Sequence, residues 1–421
     1  MNISTNLFLL SAICLLWASC STTEEFTGFS YDPEGVTETQ DKPIQTQHKR
    51  TIGVLKEGIW LSNEYDGARL NNFYQVNDSL YRVVIQPENH PINNSPWYGF
   101  KVWSNAPKTV WLELTYKHGE HRYYPDISYT GNNWAPIDPD SYRPDTARGT
   151  ALLKLDLTGR PLWVSAQERF TTEQYNWWAK NMTQYPFVSR DTVGYSHQNR
   201  PIEKLTITQT SQSQRHGVVI ITSRLHPPEI TGQMASLAFL EEITSSSPLA
   251  AKFRNRFEVI AFPFANPDGA DNGHWRHNAG GVDLNRDWQN FNQPETKAIR
   301  DHLVETVKNN LNRKVYYGID FHSTNENIFY PINRDVETFP DDFTYAFVDS
   351  IKQAFPNIEF TVEPFDTSSP ITKNWIYKTF GADAVTYEVN DRANRQQVNR
   401  VARRSARIMM QMLLDDTEPQ S

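Results

Sequence analysis

The run Gly217-Val-Val-Ile-Ile-Thr222 has no polar face. A strand wetted on one side alternates apolar with polar residues, so a run without alternation belongs to a strand covered on both sides. Phe257-Glu-Val-Ile-Ala-Phe-Pro-Phe264, Val315-Tyr-Tyr-Gly-Ile-Asp-Phe321 and Ala384-Val-Thr-Tyr-Glu-Val389 have much the same character. Between and around them lie helical stretches: Thr171 to Met182, an amphipathic stretch from Gly232 to Thr244, and a helix near Pro294 to Asn309 opened by Asn292-Gln-Pro-Glu295. A long closing helix runs from about Asn394 to Leu414. Strands alternating with helices predict an α/β fold: a mixed, largely parallel sheet with helices on both faces. Ligands of such sheets bind beyond the carboxyl ends of the strands, so the chemistry should sit just after each run.

The region from Ile52 to about Val164 has a different texture. Tyr81-Arg-Val-Val-Ile85, Tyr98-Gly-Phe-Lys-Val-Trp103 and Val110-Trp-Leu-Glu-Leu-Thr-Tyr116 alternate with period two, separated by turn clusters such as Asn93-Asn-Ser-Pro96. These features predict a small antiparallel β-sandwich, with its many aromatics as core and cross-strand packing. At 421 residues the chain is too long for one core. The expected division is a leader at 1–19, a flexible tether at 20–50, the sandwich at 51–165 and a catalytic domain at 166–416. Nucleic acid is an unsuitable partner, because the net charge is −8 and basic residues cluster only at Arg395 to Arg407, spaced like the solvated face of the last helix. A monomer is expected.

Both cysteines, Cys14 and Cys20, fall in the first twenty residues, so the rest of the chain can form no disulfide. Leu7 to Trp17 is apolar, of signal-peptide length and too short to span a bilayer. The sequence Leu-Trp-Ala-Ser-Cys20 followed by Ser-Thr-Thr-Glu-Glu resembles a bacterial lipobox with an acidic surface-export signal. That resemblance implies lipidation at Cys20 and an exported lipoprotein, in the periplasm or at the cell surface, with a lipid as its only membrane attachment.

His226-Pro-Pro-Glu229 follows the Gly217 run directly, and its prolines keep the pair off a helix face. Imidazole and carboxylate together suit zinc, which in catalytic sites takes three protein ligands and leaves one position open. His322 ends the Val315 run, and of eleven histidines only His226 and His322 close a buried strand in this way. Glu388 lies inside an otherwise apolar strand, where an ionised carboxylate is costly without a partner or a purpose. An H-x-x-E alone is weak; the second strand-end histidine and the buried glutamate give it weight.

In order along the chain, His226-x-x-Glu229, Asn266-Pro-Asp-Gly269, Trp275-Arg276, Gly281-Val-Asp-Leu-Asn285-Arg286-x-Trp288, Asp320-Phe-His322 and Glu388 resemble the zinc carboxypeptidases of the carboxypeptidase A type, the M14 family. Carboxypeptidase A is itself the standard example of a His₂Glu catalytic zinc. The preceding β-domain, Tyr185-Pro-Phe187, the Ser-Arg-x-His-Pro-x-Glu form and Asn285-Arg286 resemble the cytosolic carboxypeptidase branch. The resemblance implies one zinc per chain held by His226, Glu229 and His322, with Glu388 as general base and then general acid. It implies Arg276 at the oxyanion, and Asn285 with Arg286 on the terminal carboxylate of a peptide substrate. Pro228 stands where the family usually has glycine, and no tyrosine in Phe365 to Thr372 matches the family's substrate-capping residue. Lys373, the only cation near the expected specificity pocket, would favour acidic C-terminal side chains. Two rival functions remain at this stage: a cell-wall peptidase of the γ-D-glutamyl-diaminopimelate type or an amidase on the same scaffold, and a non-catalytic binding lipoprotein.

Overall fold

The computed structural model describes residues 29, 31–210, 216–364 and 367–417. The leader, Cys14 and Cys20 lie outside the described residues, as do Phe365 and Asp366. No described helix is long and apolar enough to cross a membrane.

The apolar runs form the middle of an eight-stranded sheet. Its strand order is Val188–Tyr195, Pro201–Ile207, Phe257–Phe262, His216–Ser223, Arg313–Thr324, Asp383–Asn390, Ile328–Pro331 and Thr361–Val362. The four central strands run parallel, and antiparallel strands flank them. Alternation on His216–Ser223 is between two apolar sides: Val219 and Ile221 face one core cluster, and Val218 and Ile220 another. Ile230–Ile243, Phe343–Ala354 and Arg395–Thr417 cover the first side. Pro294–Leu303 and Thr372–Phe380 cover the second.

One helix departs from expectation. Ile230–Ile243 is buried almost all round rather than amphipathic, because Arg395–Thr417 packs along the side that faces away from the sheet. The cationic residues of that last helix are correspondingly not a solvated face alone. Arg403 bonds Glu241, Arg407 Nε donates to Glu242 at 2.6 Å, and Arg395 Nε donates to Glu168 Oε1 at 2.6 Å.

The N-terminal domain is a sandwich of a six-stranded and a five-stranded sheet. Every pairing is antiparallel except Leu80–Ile85 with Lys108–Tyr116, which is parallel. Its inner faces share one cluster that includes Leu61, Phe100 and Val164 from one sheet and Tyr81, Val83, Leu112 and Leu155 from the other. The aromatics Tyr81, Tyr98 and Phe100 are fully buried, as packing requires. The same cluster contains Trp275, which belongs to the other half of the chain. Its indole donates to the Trp97 carbonyl at 3.0 Å, and it is 0 % exposed. Gly119 makes room for it: a Cβ there would come within 2.5 Å of the ring.

Residues 31–50, expected to be a tether, are folded onto the rest. They form no helix or strand, yet Val36 is fully buried. The Lys42 N–H donates to the Gly280 carbonyl at 2.8 Å, and Gln293 Nε2 donates to the Thr39 carbonyl at 2.7 Å. The stretch is held through its backbone rather than through an apolar face, which is why its polar composition reads as a linker.

Candidate metal and catalytic centre

The turn after Ser223 aims the first two candidate ligands. Arg224 takes a left-handed conformation, φ +59°, which costs a non-glycine residue on the order of 1 kcal/mol. Its guanidinium is buried and offsets that strain by donating from Nε to the Pro227 carbonyl at 2.7 Å, with further bonds to Gln233 and the Phe170 carbonyl. His226 and Glu229 therefore leave the strand end on a braced loop. Pro228 adds stiffness to it without displacing either side chain. His322 arrives from the neighbouring strand, and Gly232 lets the helix behind it approach: a Cβ at Gly232 would sit 2.2 Å from the His322 carbonyl oxygen.

These three side chains converge. His226 Nδ1 lies 2.7 Å from Glu229 Oε1, and His322 Nδ1 lies 2.8 Å from Glu229 Oε2. Candidate ligand atoms of the three residues all lie within 4.8 Å of one another. Each imidazole is anchored from behind. His226 Nε2 is 2.8 Å from Asp283 Oδ1, and His322 Nε2 is 2.8 Å from Asp320 Oδ2; the Thr222 hydroxyl donates to the other Asp320 oxygen, Oδ1, at 2.7 Å. A carboxylate behind each histidine fixes the tautomer that leaves Nδ1 as a donor atom, a standard arrangement around zinc. The donor set thus fits a zinc ion. Burial pushes the Glu229 carboxyl up, but His226 and His322 outweigh it and hold Glu229 well below the usual carboxylate range.

Glu388 faces this group. The parallel register sets it directly beside His322 on the adjacent strand. It is half-buried, and its Oε2, which is shielded from solvent, has no hydrogen-bond partner among the described residues. Burial, reinforced by the Glu229 charge, raises its pKa to about 7 against the pull of His322, His226 and Arg276.

Arg276 donates from Nε to Asp283 Oδ2 at 2.7 Å, so one carboxylate steadies both His226 and the arginine. Burial lowers the Arg276 pKa, and Asp283 and Glu229 more than reverse it, which keeps the guanidinium charged. The loop that carries Arg276 closes on a residue of the sandwich. The Glu88 carboxylate accepts three consecutive backbone N–H groups, from Trp275 at 2.8 Å, Arg276 at 3.1 Å and His277 at 2.7 Å. Asn285 is fixed by Thr372, whose N–H and hydroxyl each donate to Asn285 Oδ1 at 3.1 Å. Arg286 bonds its Nη1 to the Asn285 carbonyl at 3.0 Å, and its other nitrogens reach Asp32.

A cavity of about 450 Å³ joins His226, Glu229, Arg276, Asn285, Arg286 and Glu388. Among the residues expected at the site, His322 and Lys373 do not line this cavity. The Lys373 ammonium is buried and donates to the Pro331 carbonyl and to Asn374 Oδ1, so it is spent inside the fold. The sandwich supplies part of the wall through Asn93, Ser95, Arg122 and Tyr123. Tyr330 contributes a phenol whose pKa burial and Glu388 raise. The sequence reading missed these residues and Asp283, Asp320 and Glu88. Asp283 and Asp320 were visible inside the quoted motifs; Glu88 had no local signal.

Comparison with known proteins agrees with this geometry. Residues 174–411 match the zinc carboxypeptidase family, Peptidase_M14. Cytosolic carboxypeptidase 2 of Homo sapiens is 29 % identical over 157 residues, 36 % of this chain and 17 % of its own length. Cytosolic carboxypeptidase 6 of Caenorhabditis elegans is 26 % identical over 184 residues, 42 % of this chain and 40 % of its own length. The chain thus spans well under two thirds of these relatives. A metallo-carboxypeptidase from Burkholderia cenocepacia superimposes with a TM-score of 0.72 at 16 % identity, covering 85 % of this chain and 100 % of that one. A metallo-carboxypeptidase from Pseudomonas aeruginosa, in complex with (2-guanidinoethylmercapto)succinic acid, gives 0.69 at 18 % identity, with coverages of 85 % and 100 %. At such identities the two structures establish a shared fold over most of the chain.

Proposed function

From the premise that this chain belongs to the zinc carboxypeptidase family, we propose that it is a zinc-dependent metallocarboxypeptidase that hydrolyses the C-terminal peptide bond of peptides with a free terminal carboxylate. The observation that carries the reading is Glu388: a half-buried carboxylate with one buried, unsatisfied oxygen, in register with His322 and lining the same cavity as His226 and Glu229.

A zinc ion held by those three residues would supply the Lewis acidity that makes water a nucleophile near neutral pH. Glu388 takes the proton of the attacking water and passes it to the leaving amine; a pKa of about 7 suits a group that must both accept and release it. Arg276, fixed by Asp283, offers its free nitrogens to the oxygen that becomes negative in the transition state, an interaction worth about 3 kcal/mol. Arg286 matches the planar terminal carboxylate with two parallel N–H groups, and Asn285 adds its amide. A terminal carboxylate clamp is what restricts the chemistry to the last bond. The intact donor set argues against a purely binding role.

The reading includes export and lipidation at Cys20, which labelled fatty-acid incorporation into the whole chain, and its loss in Cys20→Ser, would test. For the activity, purified protein is offered N-blocked peptides with free C-termini, their C-terminal amides, and muramyl peptides, with and without chelator and beside Glu388→Gln. Release of the last residue from free acids alone, lost with chelator and in the variant, is expected. Cleavage that ignores chelator or the variant would refute the mechanism, and cleavage of muramyl peptides alone would transfer the function to cell-wall peptides.

A further inference from the structure

The residue bound to Arg286 is part of the chain itself. Asp32 sits in the stretch expected to be a tether, yet its side chain is only 3 % exposed. Asp32 Oδ2 accepts from Arg286 Nε at 3.0 Å, and Oδ1 accepts from Nη2 of the same guanidinium at 3.4 Å. Asn93 Nδ2, from the sandwich, donates to Oδ1 at 2.8 Å. One guanidinium edge paired with both oxygens of one carboxylate is the geometry a peptide's terminal carboxylate would need. The neighbouring residues complete the resemblance to a bound ligand. The Tyr31 hydroxyl lies 3.5 Å from Nη2, and the Phe29 ring lies 4.0 Å from the guanidinium carbon, covering its face. Phe29 and Tyr31 line the same cavity as His226 and Glu388. The stretch is tied down on the far side by buried Val36 and by Lys42, whose backbone N–H donates to the Gly280 carbonyl at 2.8 Å.

A counter-ion serving stability alone could sit anywhere along the Arg286 guanidinium. Asp32 instead pairs with both Nε and Nη2, the two-pronged contact a terminal carboxylate would make, and its neighbours Phe29 and Tyr31 line the reaction cavity together with Arg286. We infer that Asp32 is a specificity-determining residue: an internal carboxylate that occupies the Arg286 cradle, so that a substrate's terminal carboxylate binds only by exchanging with it. The inference rests on the reading of Arg286 as the carboxylate anchor. Its consequence is selection by size. A ligand whose main handle is its carboxylate, including the released amino acid, is held weakly. A longer peptide, with contacts along the Arg122 and Tyr123 wall, offsets the exchange. If the cradle is free in a tenth of the molecules, apparent affinity for a free acid is reduced about tenfold.

The test uses full-length zinc-loaded protein and Asp32→Asn, with an N-acetyl dipeptide and its C-terminal amide as probes. Calorimetry should show the free acid binding about tenfold tighter to the variant and the amide unchanged. The KM for the free acid should fall by a similar factor while kcat stays within about twofold. Unchanged or weaker binding of the free acid, at full zinc content and native circular dichroism, would make Asp32 a plain counter-ion and overturn the inference. Should the buried guanidinium prevent the variant from folding, Tyr31→Ala loosens the stretch without uncovering a charge and should move KM in the same direction. Hydrogen exchange in the wild type needs no variant at all: amides of residues 31–36 should lose protection when the free acid saturates the site and not when the amide does. If acid and amide bind alike to wild type and to Arg286→Lys, the carboxylate-anchor reading fails and takes the inference with it. If only the acid senses Arg286→Lys while neither senses Asp32→Asn, the anchor stands and the inference alone falls.

Discussion

Replacing Glu88 by glutamine should loosen the Arg276 loop by an amount that two independent estimates fix. Glutamine keeps the volume but offers one acceptor oxygen where the carboxylate has two. Glu88 Oε2 takes the Trp275 N–H, and Oε1 takes those of Arg276 and His277. An amide that keeps the latter pair sets its own N–H₂ against the Trp275 N–H, and a buried donor without an acceptor costs about 1–3 kcal/mol, with further loss as the remaining bonds become uncharged. The second estimate comes from proton linkage. Burial raises the Glu88 pKa, but His274, His277, Arg69 and the Trp275 N–H together bring it down to about 2 from an ordinary 4.5. A carboxyl depressed by that much contributes about 3 kcal/mol. Because the folded pKa is the lower one, this contribution is complete above pH 4.5 and disappears as the pH falls from there toward 2. Wild type and Glu88→Gln should therefore differ by about 3 kcal/mol at pH 7 and 5, and the gap should shrink by about 1.4 kcal/mol per pH unit below 4.5. Urea unfolding of the metal-free proteins at pH 7, 5, 4 and 3.5 measures it. A gap under about 1 kcal/mol at pH 7, or one indifferent to pH between 5 and 3.5, would refute the argument. In the zinc-loaded enzyme the same substitution should lower kcat more than it raises KM, since a displaced Arg276 fails at the transition state.

Other expectations follow from single contacts. Gly232→Ala drives a methyl into the His322 carbonyl and should destabilise the fold by about 1–3 kcal/mol while weakening zinc retention; a fully stable variant with native zinc content would show that the helix has slack. Asp320→Asn, which removes the carboxylate behind His322, should weaken zinc about 10–100-fold in competition with a chelator, and an unchanged affinity would mean that the tautomer is fixed by something else. Adding zinc to metal-free protein should raise the thermal midpoint in a concentration-dependent way, equivalent to about 4 kcal/mol at a thousandfold excess over Kd. A His226→Ala variant should lose most of that rise, and an undiminished rise in it would place the metal elsewhere.

The central strands were legible although burial of both faces removes the alternation that marks a strand: the runs are short and rich in Val, Ile and aromatics, which sets aside the buried helix as a rival reading. The ligand trio was legible because each member closes or follows such a strand. Glu88 was not, because its partners lie almost two hundred residues away and nothing around it marks a buried carboxylate. The helix Ile230–Ile243 was misjudged as amphipathic, since a single sequence does not reveal a second helix lying across its polar-looking side. Residues 31–50 were misjudged for the opposite reason: backbone bonds and buried polar side chains such as Asp32 hold them, and those leave no hydrophobic period to read.

Trp275 seated in the sandwich core bears on how the chain is made. The sandwich leaves the ribosome first, with an apolar slot framed by Gly119, Trp97 and Tyr116 that its own residues do not fill. Until Trp275 arrives, that slot is exposed hydrophobic surface and Glu88 is a carboxylate with no amides to accept. When it arrives, the same residue closes the slot and draws the arginine beside it into place. The nascent chain therefore places Arg276 in the same step that seats Trp275 in the sandwich, and a chain stopped before that point has neither the slot filled nor the arginine in position.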